Sequence, residues 1–280
     1  MELTEGTMAK ELKILQIQQA VYPDKRENIE RLEENIEKYI SGRPSEEVPD
    51  IVTVGEMFTC PYKSENFPVY AEEDGGETYK KLSEIADRYG VYLSAGSVPE
   101  KDDAEHIFNT AYVFDRTGRL IAKHRKMHMF DINVRGRQVF RESDTLTPGT
   151  KMTVFDTEFG KMGLCICFDF RFTDLAAAMA DAGAKVIIVP AAFNMTTGPA
   201  HWELMFRGRA VDNQVFTVGT SPARNAGDAY VAWGHSMVVS PWGEVLAELD
   251  EKSGAAFTKI DLDEVEKVRA QLPIFTARQR

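Results

Sequence analysis

The chain has 280 residues, of which 43% are apolar and 28% are charged, a composition typical of a folded globular protein rather than a disordered one. Acidic residues outnumber basic residues by 44 to 33, and the net charge of −11 argues against a general binder of nucleic acid or anionic membranes. The apolar run at 186–193 is far shorter than the roughly 20 residues of a membrane-spanning helix.

The first half of the chain predicts strands that alternate with helices. Residues 1–12 are predicted to be a loose leader, and residues 13–280 are predicted to form one domain. The predicted strands are 13–19, 50–55, 91–97, 110–114 and 120–125, and the predicted helices are 24–41 and 78–89. Residues 128–150 show no clean period, which is typical of a functional or disordered loop.

The second half repeats this alternation. The predicted strands are 161–166, 185–190, 215–219, 236–240 and 244–249, and the predicted helices are 172–182 and 201–214. Helices that alternate with buried strands along most of a chain indicate an α/β fold.

The chain contains three cysteines, Cys60, Cys165 and Cys167. Cys165 and Cys167 are predicted to alternate on one strand, where parallel side chains have a poor geometry for a disulfide. The amino terminus lacks the apolar segment of a secretory signal, so we expect a cytoplasmic protein with reduced cysteines. Such a cysteine either packs in the core or acts as a catalyst.

Motifs for common cofactors and for serine hydrolases are missing from the sequence. It has no GxGxxG, no GxxxxGK[ST] and no GxSxG segment. His124 and His128 are spaced i, i+4, but they lie at the end of a predicted strand, where this spacing does not bring two zinc ligands together. We expect neither a cofactor nor a metal.

Three chemically competent residues, Glu56, Lys126 and Cys167, each follow an apolar strand. Such strand ends are where α/β enzymes often assemble their sites. Singly, the glutamate and the lysine are compatible with solvated positions and the cysteine with the core. Together they suffice for acyl transfer, because a carboxylate can deprotonate a thiol and an ammonium can stabilise an oxyanion.

Several segments in this order resemble the nitrilase superfamily of carbon–nitrogen hydrolases, and within it the omega-amidase branch. They are VGEMF (54–58), GSVPE (96–100), RKMHMFD (125–131), FRES (140–143), CFDFRF (167–172), FNMTTGPAHW (193–202), and GHS (234–236) with PWG (241–243). The resemblance implies a four-layer αββα sandwich that is usually dimerised, so we expect a homodimer or a higher homo-oligomer.

The same resemblance implies a role for several residues. Cys167 would be the nucleophile, Glu56 the general base and Lys126 the group that stabilises the oxyanion. Glu142 would position the lysine and the substrate, and the backbone amide of Phe168 would bind the oxyanion. Cys165 is expected to pack in the core, Cys60 has no assigned partner, and His235 is expected to orient a loop.

Arg171 lies four residues after the nucleophile and is expected to bind a substrate carboxylate, because its planar fork suits that group. The alternative is a salt bridge to Asp169 or Asp174. Phe193, Thr196 and Thr197 are expected to line the same substrate site. The sequence departs from the branch at Gly55, Arg135, Thr173 and Ala191, and of these Arg135 bears most on substrate choice.

The predicted activity is hydrolysis of the terminal amide of a small carboxylate-bearing substrate, such as 2-oxoglutaramate or 2-oxosuccinamate. Alternatives within the family are an N-carbamoyl amidohydrolase and an amidase of deaminated glutathione. A catalytically silent scaffold is a further alternative, although Glu56, Lys126 and Cys167 are all present. The last alternative is a serine hydrolase that uses Ser236 and His235, but the sequence lacks the nucleophile elbow of such enzymes.

Overall fold

Two β-sheets packed face to face, each covered by helices on its outer side, form the protein, whose computed structural model describes residues 10–136 and 138–278. This is the four-layer αββα sandwich that the family resemblance predicts.

The first sheet combines strands from both ends of the chain. Its strands are β1 (Glu11–Gln18), β2 (Ile51–Val54), β3 (Glu72–Glu73), β4 (Tyr92–Ser94), β5 (Val98–Lys101), β6 (Ile107–Phe114), β7 (Leu120–Arg125) and β16 (Gly254–Asp261). Their order is β16-β1-β2-β4-β6-β5-β3, and β7 pairs with β6. β1, β2 and β4 run parallel, whereas β16 runs antiparallel to β1.

The second sheet follows the sequence order of its strands. They are β10 (Thr153–Thr157), β11 (Gly160–Leu164), β12 (Val186–Pro190), β13 (Phe216–Thr220), β14 (Met237–Val239) and β15 (Val245–Glu248). β8 (Asp131–Val134) and β9 (Gln138–Arg141), which lie between β7 and β10 in the sequence, form a separate antiparallel hairpin. The helices are α1 (Lys25–Ile40), α2 (Phe67–Tyr70), α3 (Glu77–Tyr89), α4 (Thr173–Asp181), α5 (Gly198–Asn213), α6 (Asp263–Gln271) and α7 (Ile274–Arg278).

Strand alternation divides the apolar core into layers. In β1, Leu12 and Ile14 belong to the cluster between the two sheets, whereas Leu15 and Ile17 belong to a second cluster with residues of α1 and α3. This is expected because successive side chains of a strand point to opposite faces. α1 begins as predicted after Asp24, whose side chain accepts a hydrogen bond of 2.8 Å from the backbone N–H of Arg26.

The predicted strand at 91–97 is wrong beyond Ser94, where β4 ends and the chain turns into β5. The turn contains Gly96 at φ +44°, where a side-chain carbon would lie 2.2 Å from the carbonyl oxygen of Gly55. Ser97 Oγ then accepts a hydrogen bond of 3.0 Å from the backbone N–H of Met57. The turn therefore supports the segment that contains Glu56.

Other boundaries also differ from the sequence-based expectation. Residues 128–150 are not irregular throughout, because they contain the β8–β9 hairpin, and β10, β16 and α6 were not predicted. β1 begins at Glu11, two residues before the predicted strand, and residues 1–9 of the predicted leader lie outside the described residues. No described helix has both the length and the apolar character needed to cross a membrane.

Candidate active site

The ammonium of Lys126 lies between the carboxylates of Glu56 and Glu142. Lys126 Nζ donates hydrogen bonds of 2.8 Å to Oε1 of Glu56 and of 2.8 Å to Oε1 of Glu142. None of the three side chains is exposed. Glu56, Lys126 and Glu142 follow β2, β7 and β9 respectively. The ends of these three strands therefore place the carboxylates of two predicted site residues against the buried ammonium of the third.

The two carboxylates keep Lys126 charged. Burial alone would lower the pKa of Lys126, but the charges of Glu142 and Glu56 outweigh burial and raise it. Burial also raises the pKa of Glu142, although Lys126 opposes that shift. Lys126 is therefore a permanent cation at neutral pH, and it can stabilise a negative charge that develops beside it.

Cys167 lies at a strained turn and not on a strand that it shares with Cys165. β11 ends at Leu164, and Cys167 begins a short 3-10 helix, Cys167–Arg171. Its φ of +45° is in the left-handed region, which costs a side chain of this kind about 1–3 kcal/mol and is found at functional sites. Cys165 therefore does not alternate with Cys167 on a strand, and it is buried in the apolar core, where packing was expected.

The thiol of Cys167 contacts the Glu56 carboxylate and the backbone N–H of Ala192. Burial raises the pKa of this thiol well above its ordinary value, and the charge of Glu56 adds to the shift, whereas Lys126 opposes it. The resting thiol is therefore protonated at neutral pH. It becomes a strong nucleophile only when an adjacent base removes its proton.

Glu56 has further partners that the sequence analysis missed. Its Oε1 accepts hydrogen bonds of 2.8 Å from Asn109 Nδ2 and of 3.2 Å from the hydroxyl of Tyr62, and its Oε2 accepts one of 2.9 Å from the backbone N–H of Ala192. Asn109 interrupts the otherwise apolar start of β6, which is a signal that sequence reasoning could have used. Tyr62 has no such signal.

Asp169 connects the segment of Lys126 to the segment of Cys167. Its carboxylate accepts hydrogen bonds from the backbone N–H groups of Met127 at 3.0 Å, His128 at 2.8 Å and Ile166 at 3.1 Å. It also accepts hydrogen bonds from the rings of His124 at 2.9 Å and His128 at 2.8 Å. Burial opposes ionisation, but these donors outweigh it and lower the pKa of Asp169 to about 2.

The pair of histidines considered as zinc ligands is thus occupied by this carboxylate. Within residues 10–136 and 138–278, no group of histidine, cysteine and acidic side chains is arranged to hold a metal ion.

Arg171 is half-buried beside the thiol and forms no ion pair with a carboxylate among the described residues. Its Nη1 lies 3.3 Å from Nδ1 of His201, and its guanidinium lies over the ring of Phe193 at 4.8 Å. Burial lowers the pKa of Arg171, and the nearby Cys167 opposes that shift. The alternative of a salt bridge to Asp169 or Asp174 is therefore wrong.

The remaining predicted substrate residues lie in the loop before α5. The backbone N–H groups of Thr196 and Thr197 donate hydrogen bonds of 2.9 Å and 3.1 Å to Oδ1 of Asn194, which fixes the loop. Phe193 is buried and packs against Trp202. Phe168 directly follows Cys167 in the same turn, so its backbone amide is adjacent to the nucleophile's backbone.

A cavity of ≈ 250 Å³ borders Glu56 and is also lined by Tyr62, Tyr230 and Cys60. It has the size of a site for a small molecule rather than for a polymer. Burial raises the pKa of Cys60 to about 12, so this thiol is unreactive at neutral pH. Arg135 is exposed in the turn between β8 and β9.

Ser236 and His235 do not form a nucleophile–base pair. The hydroxyl of Ser236 contacts Gln18 Oε1 at 2.8 Å. The ring of His235 contacts Glu248 at 3.1 Å, and its carbonyl oxygen accepts a hydrogen bond of 2.6 Å from Trp202 Nε1. These contacts fit the predicted loop-orienting role of His235 and give no support to a serine hydrolase.

Comparison with known proteins places the chain in a family. The model of the carbon–nitrogen hydrolase family matches residues 12–270. Omega-amidase NIT2 from Bos taurus is 48% identical over 235 residues, which cover 84% of this chain and 85% of that protein. Omega-amidase NIT2-A from Xenopus laevis is 45% identical over 273 residues, which cover 98% of this chain and 96% of that protein.

A solved structure agrees. Nit3 from Saccharomyces cerevisiae, a member of branch 10 of the nitrilase superfamily, matches with a TM-score of 0.89 and 37% identity, covering 98% of each chain. The chain therefore belongs to the carbon–nitrogen hydrolase family, in the omega-amidase-like branch of the nitrilase superfamily, and is a hydrolase that acts on carbon–nitrogen bonds.

Proposed function

We propose that the protein hydrolyses the terminal amide of a small carboxylate-bearing substrate, of the 2-oxoglutaramate or 2-oxosuccinamate type, to the acid and ammonia. The observation that supports this most is the contact of the buried Cys167 thiol with Glu56, a carboxylate that also binds Lys126. The omega-amidase names of the relatives support the substrate class.

In the first step, Glu56 takes the proton of Cys167 while Sγ attacks the amide carbon. Oε1 of Glu56 accepts hydrogen bonds from Lys126, Asn109 and Tyr62, whereas Oε2 accepts one from a backbone N–H. Oε2 has more free acceptor capacity and is the atom that receives the proton. As the carbon–sulfur bond forms, negative charge moves to the carbonyl oxygen, where Lys126 and the backbone amide of Phe168 stabilise it.

In the second step, the tetrahedral intermediate collapses. Glu56 returns the proton to the amide nitrogen, the carbon–nitrogen bond breaks, and ammonia departs. The acyl group remains bound to Cys167 as a thioester. Glu56 then deprotonates a water molecule that attacks the thioester, and the proton passes to Sγ as the carbon–sulfur bond breaks. The cycle restores the thiol and the ionised carboxylate without any further reactant.

Arg171 supports the preference for a carboxylate. The chain has a net charge of −11, so an anionic substrate needs a local cation. Arg171 is half-buried beside Cys167 and has no carboxylate partner among the described side chains. A substrate carboxylate would supply that partner, and Thr196 or Thr197 would add a hydrogen bond.

An assay of ammonia release separates this proposal from its alternatives within the family. The panel contains uncharged amides, amides of monocarboxylates, 2-oxo acid amides, N-carbamoyl amino acids and deaminated glutathione, with Cys167→Ala as the blank. We expect the highest kcat/KM for the 2-oxo acid amides. Preferential turnover of N-carbamoyl amino acids or of deaminated glutathione would identify the corresponding alternative. No turnover and no acyl adduct would favour a silent scaffold.

We also propose that the protein forms a homodimer or a higher homo-oligomer. The family resemblance supports this, and so do apolar side chains that are exposed on α5 and on the turn between β14 and β15. Leu204, Val211 and Trp242 are exposed there by 69%, 39% and 53%, and they border one shallow depression. Light scattering behind size-exclusion chromatography measures the mass directly, and a monomer at micromolar concentration would contradict the proposal.

A further inference from the structure

The hydroxyl of Tyr62 lies between the two carboxylates of the site and close to Lys126. It donates toward Oε1 of Glu142 and lies 3.2 Å from Oε1 of Glu56. Lys126 Nζ contacts the same two oxygens at 2.8 Å each and lies 3.5 Å from the Tyr62 oxygen. One ammonium and one phenol thus contact both Oε1 atoms, and Asn109 Nδ2 also donates to that of Glu56.

The ring of Tyr62 is fixed by aromatic packing. It stacks on Tyr230 at 4.4 Å, meets the ring of Phe67 edge-on at 5.4 Å and lies 5.6 Å from the ring of Phe140. Tyr62 is only 9% exposed, so water has little access to its hydroxyl. The packing therefore aims the hydroxyl at the carboxylates and keeps it there.

Two buried carboxylates that share one ammonium repel each other, and hydrogen bonds to the charged carboxylates offset that repulsion. Lys126 supplies one positive charge for two negatively charged carboxylates. Burial, with the charges of Glu142 and Glu56, raises the pKa of Tyr62 well above its ordinary value, so the phenol retains its proton and stays a donor. Its O–H is a second donor, besides the ammonium of Lys126, that contacts both carboxylates.

We propose that Tyr62 is a positioning residue whose hydroxyl keeps Glu142 ionised beside Lys126 into the acidic pH range, and thereby holds Lys126 and Glu56 in the arrangement that the reaction needs. This inference rests on the proposed role of Glu56. The charged and titratable groups that face Tyr62 are Glu56, Glu142, Lys126, Cys167 and Tyr230. Of these, Glu142 is the carboxylate whose pKa burial raises against the opposing hydrogen bonds of Lys126 and Tyr62, and loss of the Tyr62 donor makes its protonation easier as the pH falls.

Tyr62→Phe removes the hydroxyl and keeps the packed ring. The acid limb of kcat/KM against pH should move up by about one pH unit, because a hydrogen bond to a charged group is worth roughly that much. On the alkaline side of the limb, Glu142 is ionised without the Tyr62 donor, so kcat/KM should fall much less there than on the acidic side. Tyr79→Phe is the control, since its ring packs on Tyr112 and Phe114 away from the site.

The rate of iodoacetamide alkylation of Cys167 against pH gives a second readout that needs no substrate. Its acid limb should move in the same direction, even if the amide substrate has been assigned wrongly. Replacement of Tyr62 by 3-fluorotyrosine, a more acidic phenol and a stronger donor, should move both limbs to lower pH.

Unmoved limbs in both variants, or an equal loss of activity at every pH, would overturn the proposal and leave Tyr62 with a packing role. A wild-type protein that shows neither amide turnover nor an acyl adduct on Cys167 would instead refute the proposed function. The pH profile of iodoacetamide alkylation would still decide the role of Tyr62.

Discussion

The ring of His124 donates a hydrogen bond of 2.9 Å to the carboxylate of Asp169, and neither side chain is exposed. The same carboxylate binds backbone N–H groups on both sides of the site, those of Met127 and Ile166. One buried anion therefore sets the distance between the segment that ends β7 and the turn that presents Cys167. Its loss should affect stability and catalysis together.

Asp169→Asn is expected to lower the free energy of unfolding at pH 7 by about 2 kcal/mol, because the pKa of Asp169 lies near 2 in the folded state and near its ordinary value in the unfolded chain. A carboxylate whose pKa is lowered on folding stabilises the folded protein at pH values above its unfolded-state pKa. That stabilisation is lost as the pH falls through the folded-state pKa. The difference between wild type and variant should therefore shrink between about pH 4 and pH 2. Urea unfolding at a series of pH values measures it, and a difference that stays constant over this range would contradict the assignment.

The sequence predicted the frame of the fold because its signals are local. The predicted helix 24–41 depends on the cap at Asp24 and on apolar residues of one face, and both lie within the segment itself. β16, in contrast, pairs residue by residue with β1 from the other end of the chain. Its exposed residues give it little periodicity, so only the completed sheet identifies it as a strand.

The residues of the site likewise divide into those with a local sequence signal and those without one. Glu56, Lys126 and Cys167 are recognisable because each follows an apolar strand and matches a family motif. Asn109 and Tyr62 are defined by contact with Glu56, and no local pattern encodes such a contact. The left-handed backbone of Cys167 is likewise imposed by tertiary structure, since cysteine has no preference for it.

Lys126→Met should destabilise the fold as well as abolish turnover. It leaves the carboxylates of Glu56 and Glu142 buried together without their cation, and breaking a buried ion pair typically costs about 3–5 kcal/mol. The double variant Lys126→Met with Glu142→Gln removes one of the two negative charges and should recover part of that stability, while activity stays absent. Denaturant unfolding with a parallel ammonia assay tests both statements. A double variant no more stable than the single one would argue against the charge balance described for the site.

Cys167→Ala should lower turnover by several orders of magnitude while the fold is retained, because only one sulfur atom is removed. Mass spectrometry of the wild type trapped with substrate should find the acyl adduct on Cys167. Cys165→Ala is the matched control, since that thiol packs in the core and should be dispensable for chemistry. An adduct on Cys165 or Cys60, or near-normal activity of the Cys167 variant, would refute the proposed nucleophile.

Arg171→Met tests the substrate class. The guanidinium lies half-buried over Phe193 and beside Cys167, without a carboxylate partner in the described part of the chain. Loss of one member of a buried charged pair typically costs about 2–5 kcal/mol, so kcat/KM for 2-oxo acid amides should fall by roughly 30-fold or more.

Uncharged amides form no such pair with Arg171, and their turnover should fall far less. Arg119→Met is the control for loss of an arginine, because that side chain is 78% exposed and pairs only with the nearby Asp115 among the described residues. The ratio of the two kcat/KM values separates recognition from architecture, since damage to the fold lowers both. If charged and uncharged amides lose activity equally in a folded Arg171 variant, Arg171 supports the turn after Cys167, and the carboxylate-bearing substrate loses its main structural support.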